Sequence, residues 1–208
     1  MRDVVAAVEE SRRGAWAVFE GGERLWFGRA AWRERPLSPG DEEDLDELRQ
    51  WLLPRQYRAA LEGAVRLLAA RARSEEEIRR RLSAAGYMDD TVDMVLFKLE
   101  KEGLVDDEAF AREWAAARAR GGIGRERIMR ELLQKGVSRE LAAQAVEALD
   151  GDESGDAAAD LARKLLRRYA GEADAKKAMG KLLAAMARRG YGYDEARRAV
   201  ERALAYED

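Results

Sequence analysis

The sequence contains no cysteine and no histidine, and only three of its 208 residues are proline. Without cysteine the chain forms no disulfide, and without either residue it lacks the ligands of Cys/His zinc sites. Nucleophile–imidazole pairs and histidine as a general base are excluded for the same reason. Because proline is scarce, few positions forbid a helix. These absences favour a helical protein that binds a partner. We expect no enzyme, no cofactor and no metal.

Long apolar runs and a strong charge of one sign are missing as well. No stretch approaches the roughly 18 apolar residues of a membrane-spanning helix, and residues 1–20 lack the pattern of a signal peptide. We therefore expect a cytoplasmic protein with no membrane contact. The net charge of −3 argues against a strongly basic nucleic-acid binder. The chain does contain 47% apolar and 38% charged residues, which is typical of amphipathic helices around a core.

The N-terminal segment has a different pattern from the rest of the chain. Residues 16–20 and residues 23–27 flank the pair Gly21-Gly22. Two apolar runs around a glycine pair predict a β-hairpin, because glycine adopts the positive φ that a tight turn needs. Residues 4–8 predict a third strand. Residues 36–46 then predict a loop with an acidic run, which ends in a helix starting near residues 41–44.

Four predicted helix ends share one pattern. In each, an apolar residue follows a glycine and another apolar residue lies four positions before it, which is the spacing of a Schellman cap with its hydrophobic contact. The glycines are Gly86, Gly103, Gly136 and Gly190. Gly86 and Gly136 are 50 residues apart, and Gly136 and Gly190 are 54 apart. A period near 50 made only of helices indicates a helical repeat array.

Apolar stripes at helical spacing divide the array into three units of three helices each. In the first unit they are Tyr57, Leu61, Val65 and Leu68, then Ile78, Leu82 and Ala85, then Val92, Val95, Leu96 and Leu99. In the second they are Phe110, Trp114 and Ala117, then Ile128, Leu132 and Leu133, then Leu141, Ala145, Val146 and Leu149. In the third they are Leu161, Leu165 and Tyr169, then Leu182, Leu183 and Met186, then Ala196, Val200 and Leu204. The predicted N-caps are Ser74, Asp106, Ser138 and Asp194.

The expected fold is therefore mostly α, with three tandem three-helix repeats forming an extended array after a short N-terminal β-hairpin region. An acidic segment at residues 150–156 predicts a linker before the third repeat. The expected domains are residues 1–40 for the hairpin region and loop, 41–105 for the first repeat with a leading helix, 106–150 for the second repeat and 157–208 for the third.

Two motifs allow a chemical reading beside a structural one. Residues 121–124, Gly-Gly-Ile-Gly, suggest a phosphate cradle, but no strand precedes them and no third glycine completes a dinucleotide fingerprint. We favour a flexible turn between helices. The acidic pairs Asp89-Asp90 and Asp106-Asp107 suggest metal or acid/base chemistry. Since each pair comes at a helix start, we favour helix capping.

Two clusters of arginine are the candidate contact surfaces. Glu76 with Arg80 and Glu77 with Arg81 have the i,i+4 spacing of ion pairs, which accounts for much of the first cluster as a solvated face. The second cluster surrounds the glycine turn and is expected to contact an acidic surface or phosphate. Its loop-edge arginines are expected to pack little. The first cluster is Arg71, Arg73, Arg79, Arg80 and Arg81, and the second is Arg118, Arg120, Arg125, Arg127 and Arg130. The candidate partner-binding residues are Arg79, Arg80, Arg118, Arg120, Arg125, Arg127, Arg130 and Lys135.

The order of these features resembles the RecX family, the bacterial regulators of RecA recombinase. The resemblance covers roughly residues 56–150. It is carried by Arg79-Arg80-Arg81-Leu82 with Gly86-Tyr87, by the run Leu-Val-Asp-Asp-Glu-Ala-Phe-Ala at residues 104–111, and by Arg118, Gly124, Ile128, Glu131-Leu132 and Lys135-Gly136-Val137.

The resemblance implies three three-helix repeats that lie along the groove of a RecA filament on DNA. It implies inhibition of ATP hydrolysis, strand exchange and coprotease activity, with no catalysis by the chain itself. We expect a monomer that binds the RecA filament, with weak binding to single- or double-stranded DNA. The alternative is a direct DNA-binding protein built from helix-turn-helix-like units.

Overall fold

The computed structural model describes residues 1–149 and 151–205, which form two compact units. The first unit is Met1–Val105 and the second begins at Asp106. Within the described residues the chain has four strands and ten helices. The mostly helical fold, the three three-helix domains and the N-terminal β-hairpin are confirmed.

The first unit opens with a four-stranded antiparallel sheet. Its strands are β1 (Arg2–Ser11), β2 (Gly14–Phe19), β3 (Arg24–Gly28) and β4 (Glu42–Asp44), in the order β3-β2-β1-β4. Strands β2 and β3 form the predicted hairpin around Gly21-Gly22, and β1 contains the predicted strand at residues 4–8. One face of this sheet packs on helix α2 (Leu45–Ala70) through a buried cluster of Val5, Phe19, Phe27, Leu45, Leu48 and Leu52.

The segment between the hairpin and the first long helix differs from the prediction. The sequence signals missed helix α1 (Arg29–Glu34) and also missed β4 inside the predicted acidic loop. The following helix begins at Leu45, just after the predicted range of 41–44, because Glu42–Asp44 pair with β1 as a strand. Asp44 is its N-cap and accepts hydrogen bonds from the backbone N–H groups of Asp46 and Glu47.

Helix α2 (Leu45–Ala70) is a single helix of 26 residues, so the predicted leading helix and the first helix of the repeat are continuous. Pro54 lies inside it on the exposed side. The predicted stripe is shifted by one residue, since Gln56, Ala60 and Ala64 are buried while Val65 is 45% exposed.

Gln56 joins three elements of the first unit. Its Nε2 donates to the backbone carbonyl of Trp26 in β3 (2.8 Å). Its Oε1 accepts from the backbone N–H of Met88 (2.9 Å) and from the hydroxyl of Thr91 (3.2 Å). A buried amide with these three hydrogen bonds fixes α2 against both the sheet and the start of the helix Asp89–Lys101.

Helices α3 (Glu75–Ala84) and α4 (Asp89–Lys101) complete the first repeat. The second repeat consists of α5 (Asp107–Arg120), α6 (Arg125–Gln134) and α7 (Arg139–Glu147), and the third of α8 (Gly151–Tyr169), α9 (Ala175–Ala187) and α10 (Tyr193–Ala205). Each repeat has its own buried apolar cluster. The bounds of the four predicted domains stay a prediction.

The predicted N-caps are confirmed for Ser74, Asp106 and Ser138, whose side chains accept backbone hydrogen bonds from Glu77, Ala109 and Leu141. Asp194 is not a cap, because α10 already begins at Tyr193. The prediction of a linker at residues 150–156 is wrong for residues 151–156. Helix α8 begins at Gly151, so residues 151–156 are helical, while residue 150 lies outside the described residues.

All four predicted glycine caps are present. In each, the glycine has a positive φ, between +66° and +93°. The N–H of the residue after the glycine donates to the carbonyl five residues earlier, as for Tyr87 to Leu82 (3.3 Å) and Val137 to Leu132 (3.1 Å). Three residues at the ends of the predicted apolar stripes, Ala85, Ala117 and Leu204, are exposed.

No helix in the described ranges combines the length and the apolar character needed to cross a membrane.

Candidate partner-binding surface

Intramolecular ion pairs neutralise most of the first arginine cluster. Arg79 donates to Glu75 (3.0 Å) and to Asp93, and these two carboxylates raise its pKa above the ordinary value. Arg80 donates to Glu76 (2.7 Å), as the i,i+4 spacing predicts. The other predicted pair is wrong: Glu77 binds Arg71 (2.9 Å) and not Arg81. Arg79 and Arg80 therefore make ion pairs within the first repeat, and these pairs stabilise it.

One glutamate neutralises two arginines of the second cluster. Glu131 accepts two hydrogen bonds from Arg118, both of 2.7 Å, and a third from Arg127 (3.0 Å). Its side chain is only 17% exposed. The hydrogen bonds from Arg118 hold the pKa of Glu131 below its ordinary value, with a further contribution from Arg127. The expectation that these loop-edge arginines pack little is wrong for Arg118 and Arg127, because both brace α6.

Lys135 packs over the aromatic side chains of α5. Its Nζ lies 4.0 Å from the ring centroid of Trp114 and 5.7 Å from that of Phe110. The two rings are themselves stacked, with centroids 6.0 Å apart. A cation held over the face of an indole is attracted by the ring electrons. The side chain of Lys135 therefore covers the edge of the buried apolar cluster of the second repeat.

The three remaining candidates make no ion pair within the part of the chain that the structure describes. Arg125 donates to the backbone carbonyl of Leu149 (2.8 Å), and Arg130 to that of Glu126 (3.3 Å). Arg120, the last residue of α5, is exposed and makes no side-chain hydrogen bond in the same described ranges. Arg125 also interacts electrostatically with the carboxylate of Glu195. Among the described residues, Arg120 and Arg130 are thus the candidates of this group with no carboxylate partner.

Residues 121–124 form a glycine turn between α5 and α6, as predicted, and backbone hydrogen bonds connect this turn to the rest of the second unit. Gly122 has a φ of +72°, and the N–H of Ile123 donates to the carbonyl of Arg118 (3.1 Å), which makes a fifth Schellman cap. This cap escaped prediction because a charged residue, Arg118, lies four positions before the glycine. Gly124 then donates to the carbonyl of Arg189 (3.0 Å) in the turn between α9 and α10.

A cleft of about 580 Å³ lies beside this turn, inside the second unit. Gly121 and Gly122 line one side, and helix α8 and the segment after α9 line the others. Four cations surround it: Arg120, Lys164, Arg168 and Arg189. Of these four, only Arg120 was predicted from the sequence as a partner-binding residue. The i,i+4 spacing of Lys164 and Arg168 was the available signal for a shared helix face.

The acidic pairs start helices. Asp106 caps α5, and Asp107 follows as its first residue. Asp89 and Asp90 are the first two residues of α4, where their charges oppose the helix dipole, although no side-chain cap bond forms there. In the described parts of the chain, no three acidic side chains come together as a metal-binding group.

Three protein-family models match this chain, one for each of the three repeats. Residues 60–99 match the family model for the RecX first three-helix domain, residues 106–146 the second, and residues 152–200 the third. The regulatory protein RecX of Amycolatopsis mediterranei is 39% identical over 137 residues, which cover 65% of this chain and 78% of that protein. The regulatory protein RecX of Mycolicibacterium smegmatis is 34% identical over 178 residues, with coverages of 83% and 95%.

Two solved structures share the fold. A crystal structure of regulatory protein RecX aligns with a TM-score of 0.65 at 19% identity, covering 96% of this chain and 99% of that one. The crystal structure of RecX from Lactobacillus salivarius aligns with a TM-score of 0.69, also at 19% identity, covering 74% of this chain and 99% of that one.

Proposed function

Because the chain belongs to the RecX family, we propose that it is a negative regulator of RecA. In this proposal it binds along the RecA–DNA filament and inhibits ATP hydrolysis, strand exchange and coprotease activity. The observation that carries the proposal is the succession of three family domains over residues 60–200, each with its own core.

Repeated helical units are suited to a partner that is itself a repeating polymer. Each unit contributes a modest contact, and the covalent connection between units raises the effective concentration of the next contact. The chain also lacks cysteine and histidine, so the activity that we propose rests on binding. It acts in the cytoplasm as a monomer.

The partner-binding residues that we propose first are the cations without an ion pair. Arg120 and Arg130 are exposed, and Arg125 is partly buried near them in sequence. Arg79 and Arg80 in the first unit, and Arg118, Arg127 and Lys135 in the second, also belong to the proposed partner-binding residues. Their internal contacts leave less charge for a partner.

The test is the ATPase rate of RecA on single-stranded DNA while this protein is titrated in. We expect the rate to fall at substoichiometric to equimolar protein. The double substitution Arg120→Glu/Arg130→Glu is expected to weaken inhibition, whereas Arg139→Glu/Arg202→Glu, which changes two exposed arginines elsewhere in the second unit, should retain it. An unchanged ATPase rate at equimolar protein contradicts the proposal. Binding to DNA without any effect on RecA would favour the alternative, a direct DNA-binding protein.

A further inference from the structure

Four cations around the cleft of the second unit have no partner among the described residues. Arg120, Lys164, Arg168 and Arg189 are exposed, and within the described ranges their side chains make no hydrogen bond and no ion pair. Elsewhere in the same unit, Arg118, Arg127 and Lys181 are all paired with glutamates. The four cations are therefore available to a ligand, at one place, in a chain whose net charge is negative.

The cations converge from three separate segments. Arg120 ends α5, Lys164 and Arg168 lie one turn apart on α8, and Arg189 follows α9. The carbonyl ends of α5, α8 and α9 carry partial negative charge, which favours cations at such positions. That partial charge is only about half an elementary charge per helix, so it leaves most of the positive charge of the cleft without compensation.

Two carboxylates share the rim of the cleft and reduce its charge. Asp160 is bound by Arg163, a residue outside the lining. Asp156 is exposed and makes no ion pair with the described residues. Four cations against these two acids leave an excess of positive charge around the cleft. The remaining lining includes the apolar side chains of Ala157, Leu161 and Leu165.

The shape of the site favours a small ligand. A volume of about 580 Å³ lies within the range of roughly 300–1,000 Å³ that is typical of small-molecule sites. Gly121 and Gly122 have no side chains, so a ligand can approach the backbone of the turn closely. Guanidinium groups bind phosphate oxygens in a bidentate manner, and cations on three segments can contact more than one phosphate.

We propose that this cleft is a binding site for a small ligand that carries adjacent phosphate groups on an apolar or planar body, in the class of the nucleoside diphosphates. Lys164, Arg168 and Arg189 bind the phosphates together with Arg120, and Leu161 and Leu165 contact the remaining part of the ligand. The isolated chain contains every residue of the site, so ligand binding is measured without RecA. Arg120 is the one lining residue that the proposed RecA-binding residues also include.

Isothermal titration calorimetry of the full chain tests the site, with pyrophosphate, ADP and adenosine as probes at low ionic strength. We expect pyrophosphate and ADP to bind with an affinity that falls as salt rises, and adenosine not to bind. The double substitution Lys164→Gln/Arg168→Gln should weaken ADP binding by about tenfold or more, since each lost cation removes charge-assisted hydrogen bonds. The single substitution Arg189→Gln, on another segment, should weaken it as well.

The matched control is Arg139→Gln/Arg202→Gln, which removes the same charge from exposed positions of the same unit outside the cleft. It should bind ADP as the unmodified chain does, and circular dichroism should show the same helix content for all variants. No binding of ADP or pyrophosphate at millimolar concentration overturns the proposal, and so does equal weakening in the control. A third outcome also overturns it: a deoxythymidine decamer binds, its binding is lost in Lys164→Gln/Arg168→Gln, and ADP does not bind. The cleft would then be a site for a nucleic-acid strand.

Discussion

Glu131 shows how a single residue decides which charges of the surface remain exposed. It accepts hydrogen bonds from Arg118 on α5 and from Arg127 on its own helix. The pair with Arg118 joins two helices of the second repeat, and bidentate contacts of this kind are stronger than most exposed ion pairs. Both arginines thus contribute to the stability of the fold. Arg120, two residues after Arg118, makes no such ion pair with the described residues and keeps its charge exposed.

At this scale, Glu131→Gln is expected to lower the free energy of unfolding at pH 7 by about 1–2 kcal/mol, because three charge-assisted hydrogen bonds lose their anion. The folded pKa of Glu131 is lowered from the model-peptide value of 4.5, so its stabilising contribution is present above about pH 4.5. That contribution disappears as the pH falls through the folded pKa. Urea denaturation of both proteins at pH 7 and below pH 4.5 measures it.

The control is Glu113→Gln, on the exposed side of α5, where no ion pair involves the glutamate within the described residues. It should change the stability little at any pH. A difference between Glu131→Gln and the unmodified chain that stays constant down to low pH would contradict the role of the ionised carboxylate.

At the scale of elements, two helix turns dock through glycine. Gly124 precedes α6, and Gly190 precedes α10; the backbone N–H of Glu126 donates to the carbonyl of Gly190 (3.1 Å). A Cβ at position 124 would lie 2.2 Å from the carbonyl carbon of Gly190. A Cβ at position 190 would lie 2.2 Å from the Cβ of Arg127. The second and third repeats therefore meet backbone to backbone, at a distance that only glycine permits.

Gly124→Ala is accordingly expected to destabilise the second unit by about 2–3 kcal/mol or more, because the added methyl group meets backbone that cannot rotate away. The matched control is Gly180→Ala inside α9, where a Cβ meets nothing within 4 Å. That change should stabilise the protein by up to about 1 kcal/mol, since alanine is the better helix former. Thermal unfolding followed by circular dichroism distinguishes them. Equal midpoints for the two variants would contradict the close approach.

At the scale of the whole molecule, the chain divides into two compact units, each with two apolar clusters. The first unit contains the cluster of the sheet and that of the first repeat, and α2 contributes buried residues to both. The second contains the clusters of the second and third repeats, joined through the glycine junction. Each unit therefore has the buried apolar surface that independent folding requires.

We expect a fragment of residues 106–208 to fold by itself, with helical circular dichroism and a cooperative thermal transition. A fragment of residues 1–105 should behave likewise. In the fragment of residues 106–208, the Gly124→Ala change should lower the midpoint of thermal unfolding, as it should in the full chain. A fragment of residues 106–208 without a cooperative transition would contradict the division.

The sequence by itself determined the features that depend on neighbouring residues. The hairpin around Gly21-Gly22, the caps at Ser74, Asp106 and Ser138 and the four glycine ends all arise from interactions that span at most a few positions. The near-50-residue period then indicated the three repeats. Signals of this kind involve only residues within about one turn of each other. They do not determine which face of a long helix is buried, and the predicted apolar stripe of α2 therefore lies one residue away from the buried one.

Only the tertiary structure decided which charges are neutralised and which remain available. Arg118 and Glu131 are 13 residues apart, a spacing that no helix periodicity relates. Gly124 meets Gly190, and Arg120 shares a cleft with Lys164, Arg168 and Arg189, across two repeats. These contacts arise because helices pack by their apolar faces, and that packing sets where their polar side chains meet.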